Sequence, residues 1–291
     1  MTTSSYVPPE VWTDPNQADA NGRFSDINRP TAGARFEREL PRGKHRFQLY
    51  SLATPNGQKA GIMFEELLAA GIAEAEYDAW LIHIMHQDQF SSGFVAINPN
   101  SKIPAMVDYG HGEPIRVFES GAMLLYLADS FGKFIPAGHA ARTEVLSWLF
   151  WLQGSAAPFI GGGFGHFYAY APTKQEYPIN RYTMEAKRLL DVLNQRLAQS
   201  QYVGGAAYSI ADIACWPWIG ALMNNLAYGA ARFLDAKSYT HVRRWVDEIE
   251  ARPAVQRGRI VNTTGDDDWP GLPERHSAAD VDAALAAKNP A

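Results

Sequence analysis

Three short stretches of the sequence place polar side chains or a proline where a strand is expected to meet a helix or a loop. They are Thr54-Pro55-Asn56-Gly57, Ile103-Pro104 and Glu119-Ser120. A helix N-terminus has free N–H donors and the positive end of the helix dipole, so it is suited to hold an anion. A thiolate is such an anion, and thiol pKa values fall from about 8.5 to roughly 3.5–7.5 at helix N-termini. Thr54, at the start of such a helix, is therefore a candidate for sulfur chemistry.

Two of these stretches also have a purely structural interpretation. Thr54 followed by Pro55 fits a helix N-cap with proline at the first helical position, and Glu119-Ser120 fits a plain helix cap. In the functional interpretation, the Ser120 hydroxyl and nearby backbone N–H groups bind a carboxylate, while Glu119 meets an ammonium group. The residues alone leave both interpretations open.

The Ile103-Pro104 pair follows a loop and precedes an expected strand, which is a typical place for a cis proline bond. A cis bond would turn the N–H and C=O of Ile103 outward, where an extended peptide ligand can pair with them as an added strand. An Ile-Pro pair alone does not establish such a site.

The single cysteine, Cys215, excludes an intramolecular disulfide, a CxxC redox pair and a zinc site with several cysteines. It lies in an apolar helix that a Ser209-x-x-Asp212 capping box opens, so we expect a buried and inert thiol. If sulfur chemistry takes place in this protein, the sulfur therefore arrives with the ligand.

Other candidate motifs are weaker. The GGGFG run at 161–165 lacks the Gly-Lys-Ser/Thr of a P-loop, and we interpret it as a tight bend or a close packing contact. His83-x-x-His86 has no carboxylate or cysteine placed beside it, so a solvated pair and no metal site are expected. Asp266–Asp268 is interpreted as a solvated charge run. The sequence contains no GxSxG motif, so it does not indicate a hydrolase.

The elements that must position these residues are of two kinds. Strand patterns occur at 45–50, Glu76–Ile82, 105–109 and 115–118, and they are interleaved with helical patterns that include Ala60, Phe64 and Leu67 and the stretch Glu119–Gly132. From Ala137 to Thr264 the apolar residues return every three or four positions, which is typical of helices. The sequence thus predicts a small α/β domain followed by an all-helical domain.

The flanking segments and the composition complete this picture. We expect an N-terminal extension at 1–44, docked through Tyr6, Trp12 and Phe24, then domains at 45–135 and 138–264, and a peripheral or partly disordered tail at 265–291. The net charge of −5 gives no general attraction to nucleic acid or anionic membranes. No basic and apolar leader and no apolar run of roughly 20 residues is visible, so we expect a cytoplasmic protein.

The order of these motifs closely resembles the glutathione transferase superfamily over residues 45–260. More narrowly, it resembles the bacterial nu-class, the glutathione-dependent disulfide-bond oxidoreductases. The stretches that carry this resemblance are INRP, TPNGQK, DQFSSGF, NPNSKIPA, RVFESG, WLFWLQG, GGGFGHFY and INRYTMEAKRLLDVL. One departure is SAAPF after Gln153, which is a residue longer than the pattern of the family.

The resemblance implies a thioredoxin-like N-terminal domain, an all-α glutathione-transferase C-terminal domain, a homodimer and no metal. It implies that each site holds two glutathione molecules or one glutathione disulfide. Thr54 and Asn56 match the loop that meets the glutathione sulfur, and Ile103 matches a backbone clamp on the cysteinyl part. The remaining matches to glutathione contacts are Glu119 and Ser120 for the γ-glutamyl head, Gln89 for the other end, and Asn28, Gln153 and Arg181.

The activity implied is reduction of a disulfide by bound glutathione, without a protein cysteine. Two alternatives stay open at this point. The same thiolate can conjugate electrophiles or reduce hydroperoxides, or the fold can serve as a non-catalytic glutathione-binding regulatory module. The presence of Thr54, Asn56, Ile103, Glu119 and Ser120 together argues against the module, because a protein without catalysis need not keep them all.

Overall fold

A four-stranded mixed sheet forms the centre of the first half of the chain. The computed structural model describes residues 7–13, 29–265 and 271–288. Its strands β1 (Phe47–Ser51), β2 (Tyr77–Leu81), β3 (Ala105–Asp108) and β4 (Ile115–Phe118) lie in the order β2-β1-β3-β4. β1 pairs with β2 in parallel and with β3 antiparallel, and β3 pairs antiparallel with β4. The expected strands are present, each within a residue or two of its expected bounds.

Helices cover both faces of this sheet. They are α1 (Pro55–Ala69), α2 (Ser92–Ile97) and α3 (Ser120–Phe131). Because side chains alternate across a strand, Phe47 and Leu49 of β1 join the main core with Phe64 of α1, whereas Tyr50 joins a smaller core with Phe94 of α2. This arrangement is thioredoxin-like, and it places the N-termini of α1 and α3 directly after β1 and β4.

The second half of the chain is helical, as expected. Its helices are α4 (His139–Trp151), two π-helical segments that continue it (Leu152–Ala156 and Pro158–Tyr170), α5 (Glu176–Gln199), α6 (Ile210–Met223), α7 (Thr240–Glu250) and α8 (Pro253–Gly258). The predicted capping box of Ser209 and Asp212 opens α6, which is buried along almost its whole length. α1 packs against α6 and α8, so the two halves share one continuous core.

The glycine-rich run at 161–165 corrects one expectation. It forms no bend, because it lies within the π-helical segment Pro158–Tyr170. The close-packing interpretation is confirmed: a Cβ atom on Gly161, Gly163 or Gly165 would come within 2.6, 2.3 and 2.2 Å of atoms of Trp218, Tyr182 and Tyr228, respectively. Each of these glycines therefore leaves room for an aromatic ring that packs directly against its backbone. The SAAPF stretch spans the junction of the two π-helical segments.

The terminal segments differ from expectation in part. Residues 35–38 lie against the segment before α2, through hydrogen bonds such as Arg35 N–H to the Phe90 carbonyl at 2.8 Å. Trp12, however, is 56% exposed and does not dock this segment, and Tyr6 and Phe24 lie outside the described residues. The tail is not peripheral at 271–288, because it forms α9 (Ala278–Lys288) and buries Arg275 completely. The expected domain boundaries stay predictions.

Within the described ranges, every helix is too short or too polar to cross a bilayer.

Candidate active site

A cleft of about 500 Å³ opens between the sheet and the helical half of the chain. Its walls come from the β1–α1 junction, the loop before β3, the β4–α3 junction, the π-helical segments and α6. The cleft brings together seven of the nine residues that the sequence assigns to glutathione, namely Thr54, Asn56, Gln89, Ile103, Glu119, Ser120 and Gln153. These residues are far apart in the sequence, and the fold gathers them on one surface.

The N-terminus of α1 is built as the sequence predicts. The Thr54 hydroxyl oxygen accepts a hydrogen bond from the Gly57 N–H at 3.3 Å, and Pro55 follows at the first helical position. Thr54 is therefore an N-cap. Because the oxygen acts as acceptor in this cap, its O–H remains available as a donor to a ligand in the cleft. The structural and functional interpretations of Thr54 are thus compatible.

Lys59, one turn further along α1, is a buried cation behind the cleft wall. It has no exposed surface, and its ammonium group donates to Asn56 Oδ1 at 2.9 Å, Ser120 Oγ at 3.3 Å and Gln153 Oε1 at 3.2 Å. Burial lowers the pKa of Lys59 from its ordinary value to about 7, because removal from water disfavours the charged form. A single side chain thus joins α1, α3 and the first π-helical segment.

The orientation of the Asn56 amide follows from its neighbours. Its Oδ1 accepts from Lys59 Nζ and also from Trp218 Nε1, each at 2.9 Å. A carbonyl oxygen has two lone pairs, and both are now used, so the NH₂ group of Asn56 is left to donate to a ligand. Trp218 reaches Asn56 across the domain interface, packed against Gly161. The α1 N-terminus therefore offers an amide and a hydroxyl donor side by side.

Ser120 at the N-terminus of α3 has the same character. Its oxygen accepts from Lys59 Nζ at 3.3 Å and from Gln153 Nε2 at 3.1 Å. With both lone pairs occupied, the hydroxyl proton is directed to other acceptors. The preceding residue, Glu119, has a φ of 69°, a value that residues with a side chain seldom adopt, and its carboxylate accepts from Asn100 Nδ2 at 3.4 Å. A carboxylate acceptor and an anion-binding helix end thus lie next to each other.

The opposite wall carries groups suited to a peptide. The Ile103-Pro104 bond is cis, as the sequence predicts, and both residues line the cleft. Gln89 donates to the Ile84 carbonyl at 3.2 Å, while its Oε1 is buried and has no hydrogen-bond partner within the described structure. Buried polar atoms are normally paired, so Gln89 is prepared to accept a hydrogen bond from a ligand.

One assigned residue in the described part of the chain, Arg181, does not line the cleft. Arg181 lies on the exposed side of α5, where it approaches Glu185 at 3.6 Å. Asn28 lies outside the described residues. Their assignments stay predictions.

Cys215 and the His83-x-x-His86 pair do not line the cleft, and Asp266–Asp268 lies outside the described residues. Cys215 has no exposed surface, and burial raises the pKa of its thiol well above the ordinary value, which confirms an inert cysteine. His83 and His86 are not both solvated as expected, because their rings stack at 3.7 Å and His83 is partly buried. The described residues include no cluster of His, Cys, Asp or Glu that is arranged to hold a metal ion.

Several residues of the site escaped the sequence interpretation. Trp218 and Tyr228 come from the helical half, and Asn100, Lys102 and Lys59 come from the first half. One signal was available for Lys59: it lies three residues before Ile62 and four before Met63, two apolar residues on the same face of the helix. Lysine is almost never fully buried unless its charge is paired, so a lysine at such a position suggests a buried cation with specific polar partners.

Comparison with known proteins agrees with this geometry. A family model described as glutathione S-transferase, C-terminal domain, matches residues 176–248. Disulfide-bond oxidoreductase YghU of Escherichia coli (strain K12) is 61% identical over 282 residues, which are 97% of this chain and 97% of that protein. Two solved glutathione transferase structures are similar to this chain in fold as well as in sequence.

Glutathione transferase YghU from Streptococcus pneumoniae ATCC 700669, complexed with glutathione, is 56% identical with a TM-score of 0.86, covering 89% of this chain and 99% of that chain. A glutathione transferase from Pseudomonas putida, with one glutathione disulfide bound per subunit, is 37% identical with a TM-score of 0.70, covering 76% and 94%. A thioredoxin-like sheet domain, a helical domain and a cleft with two helix N-termini define the glutathione transferase class. The chain belongs to the glutathione transferase family.

Proposed function

We propose that this protein is a glutathione-dependent disulfide-bond reductase that uses the thiolate of bound glutathione and no protein cysteine. The observation that carries this proposal is the pair of donors at the α1 N-terminus, the Thr54 hydroxyl and the Asn56 amide, in a chain whose single cysteine is buried and inert. The relative named disulfide-bond oxidoreductase YghU supports the choice of reaction.

In this mechanism, the glutathione sulfur lies near Thr54 and Asn56. Two neutral donors and the helix dipole stabilise the thiolate relative to the thiol and so lower its pKa. The thiolate attacks one sulfur of the disulfide RSSR, forming the mixed disulfide GSSR and releasing RS⁻, which takes a proton to become RSH. A second glutathione thiolate then attacks GSSR, giving glutathione disulfide and a second RSH. Two glutathione molecules are oxidised and one disulfide is reduced.

Holding both glutathione molecules in one site removes the cost of bringing three molecules together. The space for this exists, because a second cavity of about 530 Å³ shares Thr54 and Tyr228 with the cleft and continues past Met85 and Leu226. The similar structure from Pseudomonas putida, with one glutathione disulfide bound per subunit, supports a site large enough for two glutathione units. Burial raises the pKa of the Tyr228 hydroxyl, which therefore stays protonated and able to donate.

The other cleft residues are proposed to orient the first glutathione. The Ser120 hydroxyl and the α3 N-terminus take the γ-glutamyl carboxylate, and Glu119 takes the α-amino group. The backbone of Ile103 pairs with the cysteinyl part as an added strand. Gln89 Oε1 accepts an N–H from the tripeptide, and Gln153 acts through Ser120 and Lys59.

A homodimer in the cytoplasm completes the proposal. Phe150 on α4 and Tyr177 and Met184 on α5 are large apolar side chains that are 64%, 81% and 64% exposed, and a second subunit would cover them. Arg181 lies on the same helix as Met184, so a dimer is the setting in which its predicted glutathione contact can be tested. A cytoplasmic location fits an enzyme that draws on the reduced glutathione pool.

The reaction is tested by a comparison of substrates. Purified protein with glutathione should reduce a dialkyl disulfide much faster than it conjugates an aryl halide or reduces a hydroperoxide. Preferred turnover of the aryl halide or the hydroperoxide would replace this proposal by the transferase or peroxidase alternative. Tight binding of glutathione disulfide without turnover of any of the three would favour a regulatory module.

A further inference from the structure

Lys59 is the side chain on which the polarity of the cleft depends. A protonated amine has three N–H donors and no acceptor, and here each donor has one partner: Asn56, Ser120 and Gln153. The partners come from three different elements and include one residue of each helix N-terminus in the cleft.

We propose that Lys59 is a positioning residue that makes Asn56 and Ser120 hydrogen-bond donors to glutathione, and that binding of the anionic ligand draws a proton onto Lys59. This inference rests on the proposed function, because the ligand whose anionic groups are matched is glutathione. Lys59 itself does not touch the ligand and acts through the side chains that it holds.

Deprotonation of Lys59 would remove one of its three N–H donors. A neutral amine has two N–H groups and one lone pair, so one of the three acceptor oxygens would lose its donor and face that lone pair. Asn56 or Ser120 would then be free to turn, and the cleft would present an acceptor where an anion needs a donor. Losing the Lys59 proton therefore weakens the positioning of Asn56 or Ser120 at one of the two anion-binding ends of the site.

The charges around Lys59 set when this happens. Burial lowers its pKa to about 7, Glu119 at the β4–α3 junction opposes this shift, and Cys215 on α6 stays a neutral thiol. Above pH 7, a large fraction of the empty protein therefore has a neutral Lys59. The γ-glutamyl carboxylate and the thiolate add negative charge on the other side of Ser120 and Asn56, which favours the ammonium form.

Proton uptake on binding measures this directly. We would titrate the protein with S-methylglutathione at pH 8 by calorimetry in phosphate and in Tris, two buffers with different heats of ionisation. S-methylglutathione has no ionisable thiol, so uptake at Lys59 is not masked by thiol ionisation. We expect the wild type to take up roughly half a proton or more per subunit in excess of Lys59→Met. The matched control is Lys187→Met, which removes a partly buried lysine on α5, bonded to the Leu234 carbonyl, and should keep the full uptake.

Kinetics give a second readout. Lys59→Met should lower kcat/KM for glutathione by about ten- to hundred-fold at pH 7, as expected for the loss of charge-assisted hydrogen bonds. The pH dependence of the wild-type rate should include a contribution from the protonation of Lys59, and this contribution should be absent in Lys59→Met. Lys187→Met should have wild-type kinetics.

The outcomes separate this inference from the proposed function. Wild-type binding without any buffer-dependent heat, or wild-type affinity and rate in Lys59→Met, would overturn the role of Lys59 while the reductase assignment stands. If Lys59→Met does not fold, the wild-type titration decides alone. A wild type that binds no S-methylglutathione and reduces no disulfide would overturn both.

Discussion

At the scale of single residues, the site is defined by which hydrogen-bonding groups are already occupied. Asn56 has both oxygen lone pairs filled by Lys59 and Trp218, and Ser120 has both filled by Lys59 and Gln153. What remains on each residue is a donor. An array of donors at two helix N-termini selects an anionic ligand, which fits a thiolate at one end and a carboxylate at the other.

Asn56→Asp tests the donor at the sulfur. The substitution keeps the oxygen that Lys59 and Trp218 contact, but it replaces the NH₂ donor by a carboxylate oxygen. We expect kcat/KM for disulfide reduction to fall by about ten-fold or more, because a repulsive charge replaces a hydrogen bond to the thiolate. The pKa of bound glutathione, measured by thiolate absorbance, should rise.

The matched control is Asn194→Asp. Asn194 also uses its side-chain oxygen as an acceptor, here from the N–H groups of His241 and Val242, but it lies on α5 away from the cleft. Wild-type kinetics in Asn194→Asp and an unchanged thiol pKa in Asn56→Asp would together show that Asn56 does not meet the sulfur.

At the scale of elements, the π-helical segment Pro158–Tyr170 positions Trp218, a residue of the helical half that contacts Asn56 at the N-terminus of α1. Gly161 lies against the Trp218 ring, and Trp218 in turn donates to Asn56. Gly161 therefore leaves room for the indole ring that connects α6 to Asn56.

Gly161→Ala tests this path. Its Cβ would lie 2.6 Å from Trp218 Cη2, which forces the indole to move and weakens its bond to Asn56. We expect the activity to fall several-fold, with a change in Trp218 fluorescence. Gly154→Ala is the control in the neighbouring π-helical segment, because a Cβ there meets no atom within 4 Å. Equal activity in the two variants would exclude this path.

Local patterns and distant contacts were not equally predictable from the sequence. The Thr54 cap, the cis Ile103-Pro104 bond and the Ser209 capping box follow from neighbouring residues, and all three are confirmed. The partners of Lys59 lie up to 94 positions away, and no periodicity brings them together. The π-helical geometry at Gly161 was missed because glycine runs are read as breaks in a helix, whereas here they make room for aromatic rings.

At the scale of the whole molecule, the C-terminal segment, residues 271–288, packs against the sheet domain beside β2. Arg275 is fully buried, forms ion pairs with Glu65 and Glu76, and lies over the Tyr77 ring at 3.9 Å. Its backbone also pairs with Ala79 of β2. The polar, alanine-rich composition suggested a peripheral tail. For residues 271–288 that was wrong, because Leu272, Arg275 and Val281 are buried against earlier parts of the chain.

Arg275→Met should lower the free energy of unfolding by about 3–5 kcal/mol, because it leaves the buried Glu65 carboxylate with fewer partners. Chemical denaturation measures this. Arg142→Met, which removes an exposed ion pair with Asp129, is the control and should cost about 0–1 kcal/mol. Similar losses in both variants would mean that the tail contributes little to stability. Glutathione affinity should be unchanged in either folded variant.

The most direct test of the central claim is the steady-state reduction of a dialkyl disulfide by glutathione, coupled to glutathione reductase, in the wild type, Cys215→Ala and Thr54→Ala. We expect Cys215→Ala to keep the wild-type rate. Thr54→Ala should lose about ten-fold or more, because a hydrogen bond to a charged group contributes roughly 1.5–3 kcal/mol. Loss of activity in folded Cys215→Ala, or an unchanged rate in Thr54→Ala, would contradict a mechanism in which glutathione supplies the only reactive sulfur of the enzyme.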